Sequence, residues 1–467
     1  MRKFQIWIKS ISGLALILFI STFFHLWHAL QDYGWADDWA FLSQYRTNGM
    51  EVRQEHISGL RPLLQPLMDV SFGNIDSYEN LVYLRITSIV GMILLTQVLI
   101  TFLIQLGYSK TIAMSFGLLL NFLPTFWIYT HWATVFTYSW VCLFSALSYR
   151  VYLRNKPLGI FVSTLCFLVY QPAAVFSIFF IFARYLKNRE LTIQDYLYSF
   201  SIVASSMFAY VMAKLAILLF DSPIKGRTNL VDSASELIDK TIWVMSRPVV
   251  LSFRPFIIES SGLISILVTV AGFFLSSVAI FNLAKNKSIW KCVLNLTLIY
   301  VIALLPIIVI TENQIEFRTL PATSAIGLLL VLSGIQLIFS RIKIVPSAVL
   351  YFPIACMVLL YAGSKVQSVF IDSFDVNKKL IKAIAETSHR SPEYLVILDQ
   401  EPWPQRNYIG SLSVISDLQM SWVPQGEIAQ VLGVDESAIS VSYDHSIDTD
   451  PNRILVPLTE IRSQVGN

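Results

Sequence analysis

The residues best suited to chemistry lie at Gly34-Trp35-Ala36-Asp37-Asp38-Trp39, a few positions after a long apolar run ends. Two adjacent carboxylates beside a bilayer are not needed for insertion. Trp35 and Trp39 alone would be ordinary interface anchors, and paired acids alone would be ordinary solvated loop charges. In a partly dry cavity, however, one carboxylate can act as general base toward an alcohol, while its neighbour orients the acceptor or holds a metal. Asp37 and Asp38 are therefore the candidate catalytic pair. Further along come Glu55-His56 and Gly59-Leu60-Arg61-Pro62-Leu63. Pro62 suits the first turn of a helix, which would place Arg61 at its start. There a guanidinium fork can grip a phosphate or simply snorkel to lipid headgroups. His56 on its own reads as a plain loop histidine.

Other basic residues fall where a membrane protein has no need of them for orientation. Lys225, Arg227, Arg247 and Arg254 share one loop, the last two each preceding a proline, and Glu316 and Arg318 close a short polar turn. Basic side chains on an outer face run against the usual positive-inside bias and could hold an anionic headgroup or a phosphate leaving group.

These residues need elements to position them, and the composition says which kind. Of 467 residues 55% are hydrophobic and only 14% charged, with mean hydropathy +0.61. A soluble chain carries about 25% charged residues, so lipid is the main solvent here. The net charge of +3 is spread in small clusters, with no basic stripe for nucleic acid. Cys142, Cys166, Cys292 and Cys356 all lie in apolar runs and read as small buried hydrophobes. No Walker loop, G-x-S-x-G, H-E-x-x-H or dinucleotide fingerprint occurs. Charges inside the apolar runs are scarce, with Lys214 the main exception. A proton or ion relay usually needs several, which weighs against a secondary transporter.

Apolar stretches long enough to span lie near 11–30, 82–105, 111–130, 134–153, 196–219, 260–283, 292–311, 319–339 and 345–363. The first follows Arg2, Lys3 and Lys9 without a small-x-small cleavage site after it, and reads as a retained span. The stretch 158–183 is interrupted at Gln171-Pro172. Basic clusters at Lys110, Arg154/Lys156, Arg184/Lys187/Arg189, Lys285/Lys287/Lys291 and Arg341/Lys343 can all be cytoplasmic only if that stretch crosses an even number of times. The expectation is an all-α polytopic protein of about eleven spans, with a cytoplasmic N-terminus and an extracytoplasmic C-terminus. Residues 1–364 form the membrane domain, with external loop 31–80. Residues 365–467 form a small α/β or α+β domain, with a helix at 375–388 and strands near Tyr394–Leu398, 438–443 and 453–458.

The layout resembles the GT-C superfamily of integral-membrane glycosyltransferases, closest to bacterial families that glucosylate O-antigen and related surface polymers. The resemblance rests on Asp37-Asp38 after the first span, Arg61-Pro62-Leu63 in the same loop, Tyr170-Gln171 in a broken hairpin, and Glu316 with Arg318 before a late span. It covers about residues 1–364 and leaves the tail aside. It implies a protein of the bacterial cytoplasmic membrane that binds a polyprenyl-phosphate-linked sugar, a hexose such as glucose. The sugar would pass with inversion to a surface glycan or lipid acceptor. Asp37 or Asp38 would be the base, and Arg61 and Arg318 would stabilise the departing phosphate. Trp39, His56, Tyr170, Gln171, Arg247, Arg254 and Glu316 would contribute to substrate binding. Some members of the superfamily use a divalent metal, magnesium or manganese, which here would fall to Asp37 and Asp38. Membrane lipid is the other implied partner. The competing reading is a transporter or flippase for a lipid-linked saccharide. A non-catalytic scaffold whose tail binds the cell wall is a third.

Overall fold

In the bilayer no water satisfies backbone N–H and C=O groups, so apolar runs of this kind must close their hydrogen bonds within helices. The computed structural model follows that rule. It describes residues 2–47, 56–222, 229–311 and 317–379, apart from breaks at 255, 259–261, 286–287, 343–346 and 376. In the tail it describes 394–397, 428 and 439–442.

The chain opens with α1 (Arg2–Ala29), followed by two helices of the next loop, α2 (Asp37–Thr47) and α3 (Leu64–Phe72). Then come α4 (Val82–Gln105), α5 (Lys110–Asn121), α6 (Pro124–His131) and α7 (Thr137–Tyr152). A broken segment follows, made of α8 (Lys156–Val169), the short α9 (Gln171–Ala174) and α10 (Ile178–Asn188), and leads to α11 (Ile193–Leu219). The remainder comprises α12 (Ala234–Ser246), α13 (Pro248–Ser252), α14 (Leu263–Ala284), α15 (Ile289–Ala303), α16 (Leu305–Ile308), α17 (Pro321–Ile342) and α18 (Ser347–Val366).

Five described helices are long and apolar enough to cross a membrane, or up to six if α5 and α6 count as one span bent by 51°. Of the other expected spans, 134–153 and 292–311 correspond to the shorter helices α7 and α15, and α1 counts as a shorter apolar helix over Gly13–Ala29. The run 111–130 is divided because Pro124 starts a new helix and cannot continue the old one. The stretch 158–183 breaks where expected: Tyr170 is extended and Pro172 sits in the first turn of α9. Large apolar side chains such as Phe19, Phe23, Phe200, Met207, Leu267 and Phe274 are exposed on α1, α11 and α14, as suits helices solvated by lipid.

The core runs through α1, α4 to α10 and α17, and is rich in aromatic side chains. It does not stop at residue 364. Val366, Val369, Phe370, Ile371 and Phe374 belong to it, so the root of the tail packs as part of the membrane domain. Close helix approach on the other side uses glycine. A Cβ at Gly327 of α17 would fall 1.7 Å from the Ser252 carbonyl oxygen, and one at Gly272 of α14 would fall 1.7 Å from that of Phe253.

In the tail, β1 (Tyr394–Ile397) and β2 (Ile439–Ser442) pair in parallel, Tyr394 against Ile439 and Ile397 against Ser442. Both lie where strands were expected. The expected strand at 453–458 and most of the expected helix at 375–388 lie outside the described residues.

Candidate functional site

The loop bearing the two aspartates is held from below by Arg85, buried near the start of α4. Its Nη1 donates to the carbonyl of Ala29 at 3.2 Å and of Gln31 at 2.9 Å, and its Nη2 donates to the carbonyl of Tyr33. The guanidinium also lies 3.6 Å from the centre of the Tyr33 ring. Carbonyls left over at the end of α1 would otherwise be stranded. The chain then turns at Ala36, in the left-handed region with φ 50°, and enters α2. A side chain at Gly34 would collide with the Trp39 ring, 2.7 Å from the Cβ position.

This turn separates the two acids. Asp38 is fully buried. Its Oδ1 accepts from the Thr134 backbone N–H at 2.7 Å and from the Thr134 hydroxyl at 2.6 Å, and its Oδ2 accepts from the Trp35 N–H at 3.1 Å. Burial pushes its carboxyl up from the usual 3.8 to about 6, against the opposing pull of Thr134, the Arg85 guanidinium and the Trp35 N–H. Asp37, in the first turn of α2, is partly exposed. A raised pKa favours Asp38 as a base, but reach comes before pKa. A carboxylate enclosed by three protein donors fastens loop to loop, and Asp37 is the more exposed of the two.

The segment that Asp38 grips leads to a cavity. Trp132 meets Trp35 edge to face with ring centres 4.7 Å apart, and its own ring lies 4.4 Å beneath the Arg318 guanidinium. The Arg318 carbonyl accepts from the hydroxyls of Tyr129 at 2.5 Å and Tyr170 at 3.4 Å. Tyr170 stacks on Tyr138 with ring centres 3.5 Å apart. Arg61 donates from Nη1 to the Tyr138 hydroxyl at 3.4 Å and sits 5.1 Å from the Tyr170 ring centre. Leu60, left-handed at φ 60°, turns the chain into Arg61, and its carbonyl accepts from Gln171 Nε2.

Arg61, Tyr170, Gln171 and Arg318 thereby line one cavity of about 580 Å³. Its other walls are largely apolar and come from α8, α11 and α16, including Phe167, Met207, Val211 and Ile307. Met207 and Val211 also face outward, 68% and 53% exposed. Among the described residues no acid forms an ion pair with Arg61. The arrangement provides two guanidinium groups beside an apolar chamber next to the bilayer, which suits an anionic head on a long hydrocarbon.

Other expected site residues lie elsewhere. Trp39 is buried between Tyr78 and Phe374, so neither it nor Trp35 is an interface anchor. His56 is stacked on Phe41. Arg247 is exposed at the end of α12, and Arg254 donates to the Ser265 hydroxyl. None of these four lines the cavity. Glu316 lies outside the described residues. The fit to a metal is poor. Asp38 is filled with N–H and O–H donors, and among the described residues no group of three or more His, Cys, Asp or Glu is placed to hold an ion.

Several contributors were not foreseen. Arg85, not Lys214, is the buried cation of the described spans, and its only signal was one arginine three residues into an apolar run. Thr134, Trp132 and Tyr138 carry no motif. Nor does the pair below the loop, in which His25 Nδ1 and His131 Nε2 share a hydrogen bond at 3.2 Å and the Tyr33 hydroxyl approaches His131 Nδ1 at 3.3 Å. No protein-family model matches the chain, and no curated protein is significantly similar to it.

Proposed function

We propose that the chain is a membrane glycosyltransferase that moves a sugar from a polyprenyl phosphate to an acceptor hydroxyl on the extracytoplasmic face. The observation that supports this most is the convergence of Arg61, Tyr170, Gln171 and Arg318 on one amphipathic cavity. The aspartate turn is joined to it through Trp35, Trp132 and Arg318. In the reaction, Asp37 takes the proton of the acceptor O–H. The oxygen attacks the anomeric carbon from the face opposite the phosphate. The bond from that carbon to the phosphate oxygen breaks, its electron pair leaves with the polyprenyl phosphate, and configuration inverts. Arg61 and Arg318 stabilise the charge that develops on the leaving phosphate. No step is routed through a metal.

The proposal includes about eleven crossings, a cytoplasmic N-terminus, and a small mixed α and β domain within 365–467 on the outside. The acceptor is a surface glycan or a lipid. A flippase for a lipid-linked saccharide is the second reading, favoured by the outward-facing wall at Met207 and Val211. Purified protein in vesicles containing polyprenyl-phosphate hexose, supplied with a glycan acceptor, separates the two. Glycosylated acceptor is the expected product. Movement of the lipid between leaflets with no product would support the flippase and overturn the transferase.

A further inference from the structure

The tail was expected to begin a separate domain, yet its first residues are built into the aspartate turn. After α18 the helix widens to a π-helical turn over Gln367–Ile371. Such turns redirect side chains out of register and recur at functional sites. Here the turn places Phe370 among Tyr33, Trp35, Trp127 and His131, with ring centres at 6.0, 4.9, 5.9 and 6.1 Å. Phe370 is completely buried. One turn on, Phe374 stacks on Trp39 at 5.4 Å and meets Tyr78 at 5.4 Å. Lys378 donates to the Tyr78 hydroxyl at 3.4 Å. The residues on either side of Asp37-Asp38 are thus packed against the tail root, while Arg61 and the cavity are assembled by other elements.

We propose that Phe370 and Phe374 are positioning residues for the transfer reaction, holding the Asp37 turn in place from the C-terminal side. The proposal rests on the glycosyltransferase reading for its catalytic consequence, and on packing alone for its structural one. The turn is fixed on its other sides by Arg85 and Thr134, so removing one ring loosens it without dismantling the fold. Displacing a catalytic group by about 1 Å can cost on the order of 100-fold in rate. Phe370 touches the donor cavity only at a distance, through Trp35, Trp132 and Arg318, while Arg61 is held separately by Tyr138 and Tyr170.

Phe370→Ala and Phe374→Ala are measured beside Phe370→Leu and Phe23→Ala, the last on an outward-facing surface of α1. Steady-state transfer gives kcat and the donor KM. Hydrogen exchange gives the mobility of the backbone at 35–42 and, separately, at 61–64 and 317–320. Each tail-root alanine variant should lower kcat by about tenfold or more with donor KM within about twofold of the parent. Amide exchange should rise most at 35–42 and stay unchanged at 61–64. Phe370→Leu should recover most of both effects, and Phe23→Ala should change neither. Unchanged kcat and exchange in both alanine variants would overturn the proposal. So would a uniform rise in exchange across all three segments, which would mark the rings as general core. If the parent shows no transfer at all, the transferase reading fails while the exchange pattern still decides whether the tail root holds the turn.

Discussion

Two neighbouring aspartates differ here because one side chain turns inward and the other does not. Asp38 is raised from 3.8 to about 6 mainly by burial, so the folded chain holds its proton more tightly than the unfolded chain does. Its contribution to stability is complete below about pH 4 and is lost as pH rises through about 6. A shift of this size corresponds to about 3 kcal/mol. The apparent unfolding temperature of the parent in detergent should therefore fall between about pH 4 and pH 7 relative to Asp38→Asn. A parent and variant whose curves run parallel would remove the buried carboxylate from this role. Arg61 gives a second prediction at the same scale. Arg61→Ala should raise the donor KM by about tenfold or more, and Arg61→Lys by less, since a point charge retains attraction but not the two-pronged grip. Donor titrations that show both variants equal to the parent would make Arg61 an interface anchor.

At the scale of elements, backbone meets backbone where glycine permits it. The carbonyl of Ser252 in α13 occupies the space a Cβ would need at Gly327 in α17. Gly327→Ala should cost about 1–3 kcal/mol, read as a lower unfolding temperature. Gly363→Ala should be nearly neutral, because there the Cβ meets only Phe24 Cε2 at 3.5 Å. What the sequence made legible follows the same physics. Apolar runs located the helices, and Pro172 located one break. Pro124 was equally visible, but the run around it was long enough for one span. The Asp37-Asp38 pair, Arg61 and Arg318 could be singled out because polar residues near a membrane are costly and need a reason, whereas Tyr170 and Gln171 were marked as site residues only by the family resemblance. The unequal burial of Asp37 and Asp38 could not, because it depends on Thr134, 96 residues away. Arg247 and Arg254 share the basic-before-proline pattern, yet one ends an exposed helix and the other reaches Ser265. Short-range pattern does not encode that difference.

Across the whole molecule, three segments distant in the chain meet near one end of the bundle. The loop after α1 supplies the aspartates, the segment at 129–138 supplies the aromatic floor, and the turn before α17 supplies Arg318. The cavity lined by Arg318 shares Met207 and Val211 with the exposed face of α11. Neither Asp37 nor Asp38 lines the cavity itself; the proposed sugar transfer needs a base on the aspartate turn to act with a phosphate held in the cavity, whereas translocation alone requires no base. The decisive measurement is the rate of sugar transfer from polyprenyl-phosphate hexose by Asp37→Asn, with donor binding measured on the same preparation. An amide keeps the size of the side chain and cannot take the proton. Transfer should fall by about 100-fold or more, the usual scale for loss of a general base, with donor binding unchanged. Asp37→Asn turning over like the parent would contradict the proposed chemistry, whatever the fate of the lipid in the cavity.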